Sequence, residues 1–216
     1  MKKNDLILIL LVLILLSCKK VENKTKTQSE KETTITSINA KYKIDIKNSI
    51  IKWKGFTPIV GDGHDGVIKL SNGIIEFKNN KITAGNFIID MNTIENSDIK
   101  NDKEKKELVT HLKNPDFFDV KKFPSSNFIV TNFIIKNDVT YIEGDFTLKG
   151  KTNSILIPVK TIKKNSTKIS IISKPFNIDR TKWGIIYDSG SFFKNLKDNL
   201  IKDNIEIEFN LKGDLD

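Results

Sequence analysis

Alanine occurs only twice in the 216 residues, at Ala40 and Ala84, and proline only five times. Alanine is the strongest helix former, whereas β-branched and aromatic residues favour strands. A chain so poor in Ala and rich in Ile, Thr and Phe is not an all-α bundle. A single cysteine, Cys18, leaves no disulfide framework. The two histidines, His64 and His111, are far apart and accompany no thiol cluster, so no metal or cofactor is expected. A G-x-S-x-G elbow and a G-x-x-x-x-G-K-[ST] phosphate loop are both absent. Eleven glycines and a charged fraction of 29% exclude collagen-like and wholly disordered chains. The longest apolar run, Leu6–Leu16, is too short to span a bilayer, which needs about 20 residues.

That run suits a secretory signal peptide instead, with Lys2 and Lys3 before it. Leu15-Leu16-Ser17-Cys18 resembles a bacterial lipobox, which implies cleavage after residue 17 and acylation of Cys18. Residues 1–17 are therefore expected to be a signal peptide. Residues 18–40 are expected to be a lipidated N-terminus and flexible tether, since they are polar and lack apolar periodicity. Residues 41–216 are expected to form one folded domain. The formal charge of +9 is spread among alternating Lys, Asp and Glu, which reads as a mixed-sign surface rather than a nucleic-acid face.

Within 41–216, short alternating runs dominate. They cover 42–46, 50–56, 66–70, 73–78, 81–91, 127–136, 139–149, 152–162, 167–178 and 204–212. Asn79-Asn80 and Asn137-Asp138 read as hairpin turns. The pattern predicts an all-β domain with one short helix, and the long strands favour an antiparallel barrel over a sandwich. The helix is expected over 97–112, with Leu108, His111 and Leu112 on one face and Pro115 ending it. Phe117 and Phe118 should form an apolar knob against a barrel end. The glycine-rich stretch Gly61-Asp62-Gly63-His64-Asp65-Gly66 reads as a strand-connecting loop, because it lacks the spaced carboxylates of a calcium loop.

Several motifs recur in a set order: Trp53, His64-Asp65-Gly66, Gly85-Asn86-Phe87-Ile88-Ile89-Asp90-Met91, His111 to Asp119, Phe123-Pro124, Gly144 to Gly150, Phe176 to Ile185, and Lys202-Asp203. Together they resemble the YceI-like family of lipid- or polyisoprenoid-binding proteins, from Tyr42 to the C-terminus. The resemblance implies a lipocalin-like extended antiparallel β-barrel of about eight strands with an apolar interior. It implies an amphiphilic ligand with an isoprenoid or other long chain, a periplasmic or secreted setting, and no enzymatic activity.

Alternation along the strands points Phe87, Ile89 and Met91 inward, and Asn86, Ile88 and Asp90 outward. By the same rule Phe128, Val130, Phe146, Leu148, Phe176 and Ile178 face inward, with Trp53 and Ile185 added. Periodicity alone does not separate a filled core from a hollow one; the resemblance favours a pocket. Arg180 falls in the inward register, either to meet a ligand head group or to form an ion pair with Asp90 or Asp179. His64 and His111 either bond a head group or satisfy backbone at the barrel mouth. The leading reading is a membrane-anchored envelope lipoprotein that binds a polyisoprenoid or other long-chain lipid, without nucleic acid. The competing one is a structural lipoprotein with a filled barrel that contacts another envelope component.

Overall fold

The computed structural model describes residues 39–58 and 63–216. The expected signal peptide, Cys18 and most of the expected tether lie outside the described residues, as do Gly61 and Asp62 of the glycine-rich loop. Ten strands run in chain order: β1 (Asn39–Ile44), β2 (Ile50–Lys54), β3 (Asp65–Lys78), β4 (Lys81–Asn96), β5 (Ser125–Lys136), β6 (Val139–Leu148), β7 (Lys151–Lys164), β8 (Lys168–Ser173), β9 (Phe176–Asp179) and β10 (Asn204–Leu215). The helix α1 (Asp102–Lys113) sits between β4 and β5. All pairings between these ten strands are antiparallel, and β8 pairs with β10, so β10-β2-β3-β4-β5-β6-β7-β8 closes into a ring of eight. Closure leaves no long open edge in the ring.

Two staves of the barrel are broken in sequence. Both β1 and β2 lie between β3 and β10, β1 near one barrel end and β2 near the other. The break is a turn in which the Asp45 carboxylate accepts from the amides of Lys47 and Asn48. Likewise β8 and β9 pair with successive parts of β10, interrupted at Lys174-Pro175, where proline cannot supply a ladder N–H. Residues 167–178, a single alternating run in the sequence, are therefore two strands. The reverse holds in β3, where the alternation breaks at residues 71–72. That strand is continuous, but a bulge between Leu70 and Asn72 shifts its inward set from Gly66, Ile68 and Leu70 to Gly73, Ile75 and Phe77. Strand β1 begins at Asn39, so Asn39 and Ala40 belong to the barrel rather than the tether.

Asn79 and Asn80 both hold positive φ (49° and 65°), as do Asn137 and Asp138 (49° and 59°). That is the backbone of the tight hairpin turns these residues favour. Helix α1 starts later than the pattern suggested. Asn96 and Asp98 hold residues 96–99 in side-chain-bonded turns, and the Asn101 carboxamide then caps the helix through the amides of Lys103 and Glu104.

Candidate functional site

The barrel has two unlike ends. At the hairpin end, Tyr42, Phe77, Ile75, Ile142, Val159, Ile169 and Ile171 fill the bore and are 5% exposed or less. Tyr42 meets Phe77 edge-on at 5.9 Å, and its hydroxyl donates to the Asn165 carbonyl across the barrel end at 2.8 Å.

Toward the other end the bore is hollow. An apolar cavity of about 120 Å³ lies between two walls. One wall is the cross-strand row Phe87, Phe128 and Phe146 on β4, β5 and β6. The other is the row Trp53, Ile207 and Phe176 on β2, β10 and β9. Trp53 stands opposite Gly66 on β3, and the indole lies so close that a Cβ there would come within 2.6 Å of it. Gly144 gives the Phe128 ring the same room, with a would-be Cβ 2.4 Å from it. Glycine at these two points lets the rings lie against the wall. Ser126, 2% exposed, is the polar member of the lining; its hydroxyl donates to the Met91 thioether at 3.0 Å.

The residues 114–124 and 180–203 cap this end. Phe117 and Phe118 are buried there as a T-shaped pair at 5.0 Å, and Phe118 reaches the cavity. Lys149 donates to the Pro115 carbonyl at 2.8 Å and pins the first segment. Burial draws the Lys149 ammonium below its usual pKa, opposed by Asp119 and Asp116. Trp183 packs edge-on against Phe146 at 5.5 Å and donates its N–H to the Phe146 carbonyl at 3.0 Å.

Nine residues expected inside line this cavity: Trp53, Phe87, Ile89, Met91, Phe128, Phe146, Leu148, Phe176 and Ile178. Val130 and Ile185 do not. Val130 points inward, but it packs between Gly85 and Gly144, beyond the cavity toward the filled end. Ile185 is fully buried in the cap, where its carbonyl accepts from Arg180.

Arg180 also stands apart from the cavity lining. Fully buried, it donates to the carbonyls of Lys202 (3.2 Å), Ile185 (2.9 Å) and Ile201 (2.9 Å). Its guanidinium pairs with Asp203 at 3.7 Å and stacks over Phe117 at 5.7 Å. Burial pulls its pKa down and Asp203 pulls it back up. Its acid partner is therefore Asp203, not Asp90 or Asp179; Asp179 is occupied capping Thr181, and Asp90 bonds Asn92. A guanidinium donates only, and here three backbone carbonyls and a carboxylate take it up. His64 and His111 lie outside the cavity lining as well. The His64 ring is 2.9 Å from Asp98, and His111 is 3.1 Å from Asp116 while packing edge-on against Tyr187 at 4.6 Å. Burial alone would raise the Asp98 pKa, but bonds from His64, the Asp65 amide and Asn96 hold it below the usual carboxylate value.

Sequence reasoning missed Ile51, Ile68, Leu70, Ile155, Ile157, Ile205, Ile207 and Phe209, although the same alternation ran through their strands. Ile94, which follows a bulge, carried no such signal; Phe118 comes from a loop and was expected only as part of an apolar knob against a barrel end, where it does lie. Among the described residues, no group of three or more His, Cys, Asp or Glu is placed to hold a metal, and no helix is long and apolar enough to cross a membrane.

Residues 42–213 match the YceI-like domain family. Protein YceI of Salmonella arizonae is 28% identical over 136 residues, which cover 59% of this chain. The chain spans 65% of the length of that relative. Among solved structures, Burkholderia cenocepacia BcnA superposes with a TM-score of 0.61 at 20% identity, covering 78% of this chain and 98% of BcnA. A polyisoprenoid binding domain from Saccharophagus degradans superposes with a TM-score of 0.56 at 13% identity, covering 81% of this chain and 98% of that domain. These likenesses are of fold, and the family match takes in nearly all of the barrel: the chain belongs to the YceI-like family.

Proposed function

We propose that this protein binds a long-chain lipid of the polyisoprenoid class inside the hollow end of its barrel and that acylated Cys18 holds it at a membrane of the bacterial cell envelope. The observation that carries the binding reading is the cavity itself: a bore lined by apolar side chains and Ser126, with both histidines and Arg180 engaged elsewhere. Such a site rewards apolar area removed from water, at about 25 cal/mol per Å², and offers no cation to an anionic head group. Its volume is below the about 300–1,000 Å³ of a drug-sized site, so it takes a section of a chain unless its side chains part. The solved polyisoprenoid binding domain of like fold supports the ligand class. The anchoring reading rests on the apolar run 6–16 followed by Ser17-Cys18.

Native mass spectrometry of the protein isolated from its own cells tests the binding reading. The expected result is a co-purifying lipid released on unfolding; a barrel that is empty in every preparation contradicts it. Cys18→Ala tests the anchor. The variant is expected in the soluble or unprocessed fraction, and tight membrane association of a processed Cys18→Ala chain would contradict the acylation reading.

A further inference from the structure

We propose that the loop 190–200 docks the hollow end of the barrel onto a bilayer that carries anionic phospholipid, with Phe192 and Phe193 entering the acyl boundary. This rests on the reading that the cavity holds a lipid chain, and it names the surface across which that chain enters. Phe192 and Phe193 are 57% and 46% exposed. Among the described residues they are the one pair of exposed large apolar side chains adjacent in sequence. The same cap holds a second Phe-Phe pair in the opposite state: Phe117 and Phe118 are 6% and 9% exposed and meet edge-on at 5.0 Å.

The base of the loop is fixed. Ser189 pairs with Ile201, and the Ile201 amide donates to the Asp188 carbonyl at 2.9 Å. Arg180 donates to the carbonyls of Ile201 and Lys202, so the loop rises from the cap that closes the cavity. The Ser189 carbonyl accepts from the amides of Phe192 and Phe193 at 3.1 and 2.9 Å, a tight turn that presents both rings to the outside. Lys194 and Lys197 follow the pair and Lys202 stands at the base, all three exposed. Of the acids in 188–203, Asp188 and Asp203 lie beside Arg180, which leaves Asp198 against three lysines. Exposed rings beside cations suit a membrane interface, with the rings in the acyl boundary and the cations at anionic head groups. Two aromatic side chains offer about 300–500 Å² at most. That is short of the roughly 800 Å² per partner of a stable protein interface, whereas a bilayer needs no complementary partner surface. The expected tether joins β1 at Asn39, beside the turn between β3 and β4 at the filled end. Residues 18–38 extend to about 70 Å at most, and the 14-residue β3 spans about 45 Å. An anchor at Cys18 therefore leaves the capped end free to reach the bilayer.

Photo-crosslinking of the whole chain in its own membranes tests the docking. p-Benzoylphenylalanine is placed at Phe193 in one variant. In a second it is placed at Ile135, which is 64% exposed at the end of β5 in the filled half. A phospholipid adduct at position 193 and not at 135 is the expected result. A protein adduct at 193, no lipid adduct there, or equal lipid adducts at both positions would overturn the inference. A second readout follows loading from vesicles of phosphatidylethanolamine and phosphatidylglycerol by native mass spectrometry. The double variant Phe192→Ser with Phe193→Ser is expected to take up geranylgeraniol from these vesicles roughly tenfold more slowly, since each lost ring forfeits apolar burial in the bilayer. Its affinity for geranylgeraniol delivered from detergent is expected to be unchanged, because neither ring lines the cavity. Equal uptake rates from vesicles would overturn the inference and leave lipid binding intact. Failure of the unaltered protein to take geranylgeraniol from either source would overturn the binding reading, and the loop's role in loading with it.

Discussion

The two halves of the barrel obey one rule and reach opposite results. Inward residues alternate along the strands in both, and both interiors are apolar. In the hairpin half, Ile75 is 0% exposed and Ile171 is 1% exposed, and β-branched side chains close on one another with Tyr42 across the end. In the capped half, the inward Trp53, Ile89, Ile155, Phe176, Ile207 and Phe209 are only partly buried. There the large rings rest against wall glycines, Trp53 on Gly66 and Phe128 on Gly144, and the bore stays open between them. A barrel of this strand number is wide enough to be filled by side chains or to hold one small ligand. Wall glycines occur in both halves, with Gly73 beneath Ile44 and Gly213 beneath Ile169 in the filled one. The difference therefore lies in the inward side chains: β-branched chains that meet across the bore close it, and rings held at the wall leave it open.

The cap keeps the hollow half in place, and its removal carries the largest expected effect. Arg180→Leu strips the donor from three carbonyls and leaves the partly exposed Asp203 with Ser191 alone; removing one member of a fully buried pair costs about 3–5 kcal/mol, which is the upper bound here. Denaturant unfolding should show that loss, and a variant as stable as the parent would mean that the cap does not depend on Arg180. A second comparison sets one half against the other. Ile171→Ala in the filled half should cost about 2–5 kcal/mol, because a new void opens in packed surroundings. Ile155→Ala faces a void already and should cost less, nearer the about 1–2 kcal/mol expected for lost transfer alone. Equal losses would erase the distinction between the halves.

A third contrast sharpens the register of β4. Ile89 lines the cavity, while Ile88 points to the outer face. Ile89→Gln should cost about 1–3 kcal/mol and weaken lipid retention, whereas Ile88→Gln should leave retention nearly unchanged. Equal retention of lipid by both folded variants would mean that the wall is misassigned. The smallest expected effect is acidic. The folded pKa of Asp98 lies below the unfolded carboxylate value of about 3.9, so its contribution is complete above that value and is lost as pH falls through the lowered folded one. Asp98→Asn should therefore lower the melting temperature at neutral pH and flatten its decline between about pH 5 and pH 3. An unchanged acid slope would show that the His64–Asp98 pair does not stabilise the β3–β4 edge.

Much of this architecture was legible in the sequence. Period-two alternation in 85–91 and in 204–212 marks strands whose inward faces are now seen, and Asn79-Asn80 and Asn137-Asp138 announced their turns through residues that tolerate positive φ. The alternation also turned Phe87, Ile89, Met91, Phe128 and Phe146 inward, and the structure shows a cavity behind them that alternation alone did not distinguish from a filled core. What it did not convey follows from bulges and from long-range packing. The bulge at Ser71 reverses parity inside β3, so one strand read as two. Val130 has the same inward register as Phe128, yet only position along the bore separates cavity from packed core. Arg180 has three carbonyl partners in Ile185, Ile201 and Lys202 and an ion-pair partner in Asp203, two of them five and twenty-one residues away, a spacing that no local pattern reveals.

The claim at the centre of this account is that one half of the barrel is hollow so that a lipid chain can enter it. Methyl NMR of isoleucine-labelled protein titrated with geranylgeraniol tests it directly. Shifts confined to cavity methyls, those of Ile89, Ile155, Ile207 and their neighbours, with Ile75, Ile169 and Ile171 unmoved, are the expected result. No shifts at all at saturating ligand, or shifts equally large in both halves, would contradict it.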